Sequence, residues 1–242
     1  MGAIELVLIR HGESAGNVAA TAAQRSGAEV IEVGVRDADV PLSDAGRDQG
    51  KALGSWLAAL PEDERPEAVW CSPYLRARQT AELAGLENPR LDERLRDREL
   101  GILDLLTSAG VQARFPEEAQ RRSWLGKFSY RPPGGESWAD VALRLRSVLR
   151  DLDDEEDGRR VAVVCHDAVI LLIRYICEGL TEAELLDIAS STSVRNASLT
   201  RLVRPEGKGR WDLADFNAVD HLETGGAPVT EHAGDENNVH PR

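Results

Sequence analysis

Four residues able to do ionic or nucleophilic chemistry sit where short apolar runs give way to polar sequence. Arg10 and His11 close LVLIRH, Arg76 lies just past AVWC in SPYLRARQT, and His166 follows RVAVVC. Alone, each is ordinary, since a histidine beside an apolar segment is usually a packed or solvated residue. Together they are not. Two imidazoles and two guanidiniums suit a dianionic phosphoryl group, because guanidiniums present forked donors to its oxygens and an imidazole can attack or donate.

Such a site needs elements that bring the four together. The runs over residues 4–9, 67–71 and 159–165 are short and apolar, which predicts buried strands. Each leads into helix-forming sequence. NVAATAAQR starts a helix near Asn17, and SPYLRARQTAELAGL starts another with Pro73 in its first turn. DAVILLIRYICEGL forms a third. PLSDAGRDQGKALGSWLAAL is amphipathic, with Ser43 or Asp44 as its cap and Ala45, Leu53, Trp56, Leu57 and Leu60 near helical spacing. Strand-to-helix alternation implies an α/β fold with a largely parallel sheet, whose sites lie at the carboxyl ends of strands. Parallel pairing would put Arg10, His11, Arg76 and His166 on one edge. A helix starting near Asn17 would add unpaired N–H groups, and Gly12 would allow a sharp turn and close approach of a ligand.

The chain has 242 residues, 42% hydrophobic and 29% charged, within the range of one globular domain. We expect that domain over 1–224. Residues 102–140 lack a clean period and contain the turn RPPGGES, which marks a lid-like insert ahead of a helix beginning near Ser137. Residues 151–158 read as an exposed acidic helix end, and the polar segment 225–242 as a mobile or loosely docked tail.

A net charge of −13 argues against nucleic-acid and anionic-membrane partners, so an anionic substrate must meet a local basic pocket. All but Lys51, Lys127 and Lys208 of the 29 basic residues are arginines. Cys71, Cys165 and Cys177 fit neither a disulfide framework nor a four-cysteine zinc site and read as reduced core thiols. No leader-like or membrane-spanning run is evident, and Leu6 spoils the myristoylation pattern after Gly2. The expected location is the cytoplasm. Nothing in the composition declares an oligomeric state.

LVLIRHGES, followed in order by PLSDAGRDQG, CSPYLRARQTAE, ERLRDRELG, RPPGGESWADV and VVCHDAV, resembles the histidine phosphatase superfamily, in its phosphoglycerate mutase-like branch. The resemblance runs over about residues 4–200. It implies a three-layer α/β/α sandwich and a metal-independent, cofactor-free hydrolase of small phosphomonoesters. His11 matches the nucleophile that becomes a phosphohistidine. Arg10, Asn17, Arg76 and His166 match the phosphate pocket, with Ser14 beside it. The SPYLRARQT register favours Arg76 over Arg78.

The general acid falls at Asp97, four residues before Gly101, where the family usually has glutamate. Glu99 and Asp167 are rivals. Asp167 follows His166 where this branch commonly has glycine, and it also reads as a helix cap. Two further readings stay open: a cofactor-dependent phosphoglycerate mutase-type phosphotransferase, and a catalytically weak phosphate-binding protein. The missing counterpart of a mutase substrate loop in residues 98–130 favours hydrolysis.

Overall fold

A computed structural model describes residues 2–232. Six strands form one sheet: β1 (Glu5–Arg10), β2 (Ala68–Cys71), β3 (Arg90–Leu91), β4 (Arg160–Cys165), β5 (Leu199–Val203) and β6 (Asp212–Ala218). Their order is β3-β2-β4-β1-β5-β6. The first four are mutually parallel, and β5 and β6 are added antiparallel at one side.

Alternation along the central strands explains why both faces are covered. Leu6, Leu8, Trp70, Val161, Val163 and Cys165 point into one apolar cluster, while Val7, Ile9, Cys71, Ala162 and Val164 point into another. The first is completed by α6 (Trp138–Glu155), α7 (Asp167–Cys177) and α8 (Glu182–Ser191). The second is completed by α2 (Asp44–Ala59) and α3 (Leu75–Leu83). The expected three-layer α/β/α sandwich is therefore present, with a mixed sheet.

The antiparallel pair β5 and β6 lies outside the sequence expectation. Its signature is weak because polar residues interrupt it: Arg201, midway along β5, donates to Glu5 on β1 and Asp215 on β6 at 2.7 and 2.9 Å. An outward ion-pair network has replaced the apolar run expected of a strand.

α1 (Ala15–Ser26) follows β1 directly. Two helices, α4 (Ser108–Arg114) and α5 (Pro116–Ser129), fill most of the lid-like segment, with a break at Gly126. Pro73 lies before the Tyr74 cap of α3 rather than inside the helix. After α9 (Asp220–Thr224), residues 227–232 are hydrogen-bonded to the domain. The remainder of the expected tail lies outside the described residues. No helix among the described residues is long and apolar enough to cross a membrane.

Candidate active site

The parallel register assembles the site. Arg10 stands opposite Cys165, and Cys71 opposite Val164. The ladder continues one step past the strands, with His11 N donating to Cys165 O at 3.0 Å and Ser72 N to Val164 O at 2.9 Å. His11, His166 and Ser72 thus leave three neighbouring strands side by side. The His11 and His166 ring centroids are 5.2 Å apart, edge to face.

His11 is buried, and its Nδ1 lies 2.7 Å from the carbonyl of Gly12. A carbonyl only accepts, so Nδ1 carries the hydrogen and Nε2 keeps its lone pair. Burial, with the charges of Arg76, His166 and Arg10, holds the imidazole well below its usual pKa of 6.5. The ring is neutral at pH 7, as a nucleophile must be. Behind it, Ala197 N and Asn196 Nδ2 donate to His11 O at 3.2 and 3.3 Å, and this loop before β5 fixes the backbone.

Gly12 has a reason other than the sharp turn expected. Its φ is not left-handed, and a Cβ there would lie 2.7 Å from Gly46 O in the first turn of α2. A Cβ on Gly46 would lie 2.0 Å from Glu13 O. The two glycines let the loop after β1 and the start of α2 touch backbone to backbone.

Arg76 projects from the first turn of α3 and is buried, whereas Arg78 is exposed. Its guanidinium donates from Nη2 to Asp97 Oδ2 at 3.0 Å, and from Nη1 and Nη2 to the Asp37 carboxylate at 2.9 and 3.1 Å. Nη1 also reaches the Asp37 carbonyl at 2.7 Å. Arg10 donates from Nη1 to the carbonyls of Val194 and His232, leaving Nε buried without a partner among the described residues.

His166 receives or donates a hydrogen bond to Ser72 Oγ at 2.8 Å through Nε2, and its Nδ1 lies 3.2 Å from Asp97 Oδ2. The Tyr74 ring meets it edge-on at 5.2 Å. Burial pushes the His166 pKa down, and the Asp97 charge offsets only part of that. Burial also works to raise Asp97, but His166, Arg76 and the Arg98 N–H outweigh it and keep the carboxyl well below 3.8.

The approach of Asp97 is set by the lid-side turn. Gly101 has φ +57°, and a Cβ there would lie 2.2 Å from Pro133 O. Ile102 N and Glu136 N bond Pro133 O and Glu99 O at 3.0 and 2.9 Å. The RPPGGES turn therefore clamps residues 97–101 against the sheet edge, and its Ser137 caps α6. Of the rival acids, Glu99 accepts from Tyr74 Oη at 3.0 Å and is half-exposed. Asp167 is the first residue of α7, where its Oδ1 accepts from Ala168 N at 2.7 Å; the cap position belongs to His166.

Ser14 and Asn17 form a reciprocal cap at the start of α1. Ser14 Oγ accepts from Asn17 N, and Asn17 Oδ1 accepts from Ser14 N, both at 3.1 Å. Asn196 Nδ2 also reaches Asn17 Oδ1 at 3.3 Å. The helix begins at Ala15, slightly earlier than the sequence suggests.

Sequence reasoning passed over Asp37, Ser72, Asn196 and His232. Glu13 accepts from Ser43 Oγ at 2.5 Å and pairs with His232 Nε2 at 2.6 Å, and the other ring nitrogen of His232 meets Thr21 Oγ1 at 2.6 Å. Gln49 Nε2 holds Pro228 O and Thr230 Oγ1, each at 2.8 Å. Ser72 had a usable signal, being the first polar residue after β2. The others join the site only through long-range folding.

A buried histidine with two arginines beside it stands at the carboxyl edge of the parallel strands of an α/β fold, an arrangement whose charge suits an anion. The chain belongs to the histidine phosphatase superfamily (branch 1), which residues 6–218 match. It is 31% identical over 194 residues to a 6-phosphofructo-2-kinase/fructose-2,6-bisphosphatase of Caenorhabditis elegans, covering 78% of this chain and 38% of the relative. The chain thus spans about two-fifths of that relative's length. It is 32% identical over 197 residues to a 2,3-bisphosphoglycerate-dependent phosphoglycerate mutase of Methylobacterium radiotolerans, covering 78% and 86%. Among solved structures, a mycobacterial glucosyl-3-phosphoglycerate phosphatase complexed with VO3 superposes with a TM-score of 0.69 at 29% identity, over 89% of this chain and 100% of that one.

Proposed function

We propose that the protein is a phosphatase that hydrolyses small phosphomonoesters through a phosphohistidine on His11, without metal or cofactor. The observation that carries this reading is the neutral His11, with Nδ1–H tied to Gly12 O and Nε2 free beside Arg10, Arg76 and His166. Family membership supports it.

In the proposed cycle Nε2 of His11 attacks phosphorus, the bond to the ester oxygen breaks, and the departing alkoxide takes a proton from Asp97. Arg10, Arg76, His166 and the Asn17 side-chain amide hold the phosphoryl oxygens as charge redistributes. Ser14 acts beside them by fixing Asn17. Asp97, again a carboxylate, then removes a proton from water as its oxygen attacks phosphorus and the P–N bond breaks. Inorganic phosphate leaves and His11 is restored. Asp97 is anionic in the free site, but a bound dianion neutralises Arg76 and adds negative charge nearby, both of which raise the carboxyl pKa toward that of a working acid.

The reading extends to a single domain over 1–224 with the lid-like insert, and to a cytoplasmic setting, which suits three free, buried cysteines. Burial pushes Cys71 up to about 12, against redox or nucleophilic use.

Phosphate release from a panel of monoesters in chelator-treated buffer tests it. Wild type should release phosphate and His11→Ala should lose at least about four orders of magnitude. Acid-labile, alkali-stable phosphoprotein should be trapped only in the wild type. Isomerisation faster than release when a bisphosphorylated primer is added would favour the mutase, and phosphate binding without turnover the binding protein.

A further inference from the structure

Beside the phosphate pocket a cleft of about 790 Å³ is lined by Tyr74, Asp37, Glu99, Asp104, Arg36 and the short apolar stretch around Val33. It borders the candidate site through two of its lining residues, since Tyr74 packs on His166 and Asp37 accepts from Arg76. Its position next to Tyr74 and Asp37 makes it the space into which we place the ester's alcohol portion when the phosphoryl group reaches His11. Resting on the phosphatase reading above, we propose that this cleft selects a hydroxylated alcohol, of the polyol or sugar type, and disfavours any leaving group with a second anionic substituent.

The argument is one of charge and hydrogen-bonding capacity. Asp37 is paired with Arg76, but Glu99 and Asp104 face the cleft without a close cation among the described residues, and Arg36 is turned to Asp39, which its guanidinium meets at 2.7 Å with the side chain 82% exposed. Arg96 comes only to 3.7 Å of Glu99 and is committed to Glu136 at 2.8 Å. Arg76 is matched by Asp37 and Asp97 and serves the phosphoryl group. Burial first, then the neighbouring Asp37 and Glu99 charges, push Asp104 up, and Arg76 and the Leu105 N–H offset only part of this.

A second phosphate or carboxylate would therefore enter a negative field, a repulsion that specific sites use to reject wrong ligands. Hydroxyl groups would find acceptors. Glu99 Oε1 takes the Tyr74 hydroxyl and Asp104 Oδ1 takes Leu105 N, which leaves an oxygen on each carboxylate for a substrate donor. The relatives described above are named for bisphosphates and a phosphoglycerate, so this preference would set the chain apart from them.

The test uses glycerol 3-phosphate and 3-phosphoglycerate, which differ in a hydroxymethyl replaced by a carboxylate, with phenyl phosphate as a substrate bearing neither group. Wild-type kcat/KM should favour glycerol 3-phosphate by at least about ten-fold, the size of a modest like-charge penalty. In a Glu99→Gln/Asp104→Asn variant that ratio should shrink by roughly five-fold or more. Equal or better turnover of 3-phosphoglycerate by the wild type, or a ratio unmoved by the variant, overturns the proposal. Absence of release from phenyl phosphate and from both test esters counts against the phosphatase reading instead. In that event titration calorimetry of the same pair against the wild type decides the preference, and tighter 3-phosphoglycerate binding overturns it.

Discussion

The Asp37 carboxylate lies 2.9 and 3.1 Å from the two terminal nitrogens of Arg76, while Asp97 shares the second of them at 3.0 Å. The guanidinium proposed to hold the phosphoryl group thus already carries two carboxylate partners. A fork-to-carboxylate pair has the same geometry as a fork-to-phosphate pair, so on the proposed reading Asp37 should compete with the phosphoryl ligand. Asp37→Asn should tighten inorganic phosphate binding by roughly three- to ten-fold, read by calorimetry at fixed ionic strength. Weaker binding would mean that Asp37 positions Arg76 rather than blocking it.

Asp97 and Glu99 separate by leaving group. Asp97→Asn should lower kcat on alkyl phosphates by roughly a hundred- to a thousand-fold, the usual worth of a positioned acid. It should cost far less on p-nitrophenyl phosphate, whose leaving group needs no proton. Glu99→Gln should lack this contrast, because its carboxylate faces the Tyr74 hydroxyl and not the His166–Arg76 pair. The ratio of the two substrates is the measurement, and a contrast in Glu99→Gln alone would reassign the acid.

Burial lowers both His11 and His166 below 6.5 in the folded chain. Their unfolded forms bind protons first as pH falls, so the unfolded state holds more protons in the window from 6.5 down to the folded values. Stability must then decrease with falling pH across that window, by up to about 1.4 kcal/mol per pH unit for each ring. Asp97, held below 3.8, acts with the same sign only at lower pH. Urea midpoints should fall from pH 7 to pH 5, and His11→Gln should flatten the slope. The acid limb of kcat/KM that belongs to His11 should likewise lie below 6.5.

Gly46→Ala tests the contact between the β1–α1 loop and α2. In a helix alanine ordinarily stabilises relative to glycine by about 1 kcal/mol. Here the added Cβ would meet Glu13 O at 2.0 Å, so the sign should reverse. A loss of about 2 kcal/mol corresponds to a Tm lower by roughly 5 °C in a domain of this size. Activity should fall as well, because Glu13 lies between His11 and the Ser14 cap. An unchanged or raised Tm would show that the backbone approach relaxes at little cost.

Much of this was legible in local sequence. Apolar runs of strand length over residues 4–9, 67–71 and 159–165 specified three strands, and Ser43 or Asp44 and Ser137 marked helix starts, because periodicity and capping are short-range effects. Once β1, β2 and β4 pair in parallel, convergence of His11, Arg76 and His166 follows, and the resemblance of SPYLRARQT to the family motif favours Arg76 over Arg78. Local sequence did not reveal β5 and β6, whose polar residues answer to partners across the sheet, or the reason for Gly12, which lies in a backbone 34 positions away at Gly46. Nor did it reveal Asp37 on Arg76 or His232 on Glu13. The sequence alone determined which groups could do chemistry and on which sheet edge they would stand. Only the tertiary structure decided which charges already occupy that edge, since ion pairs between distant segments depend on chain closure and leave no periodic trace.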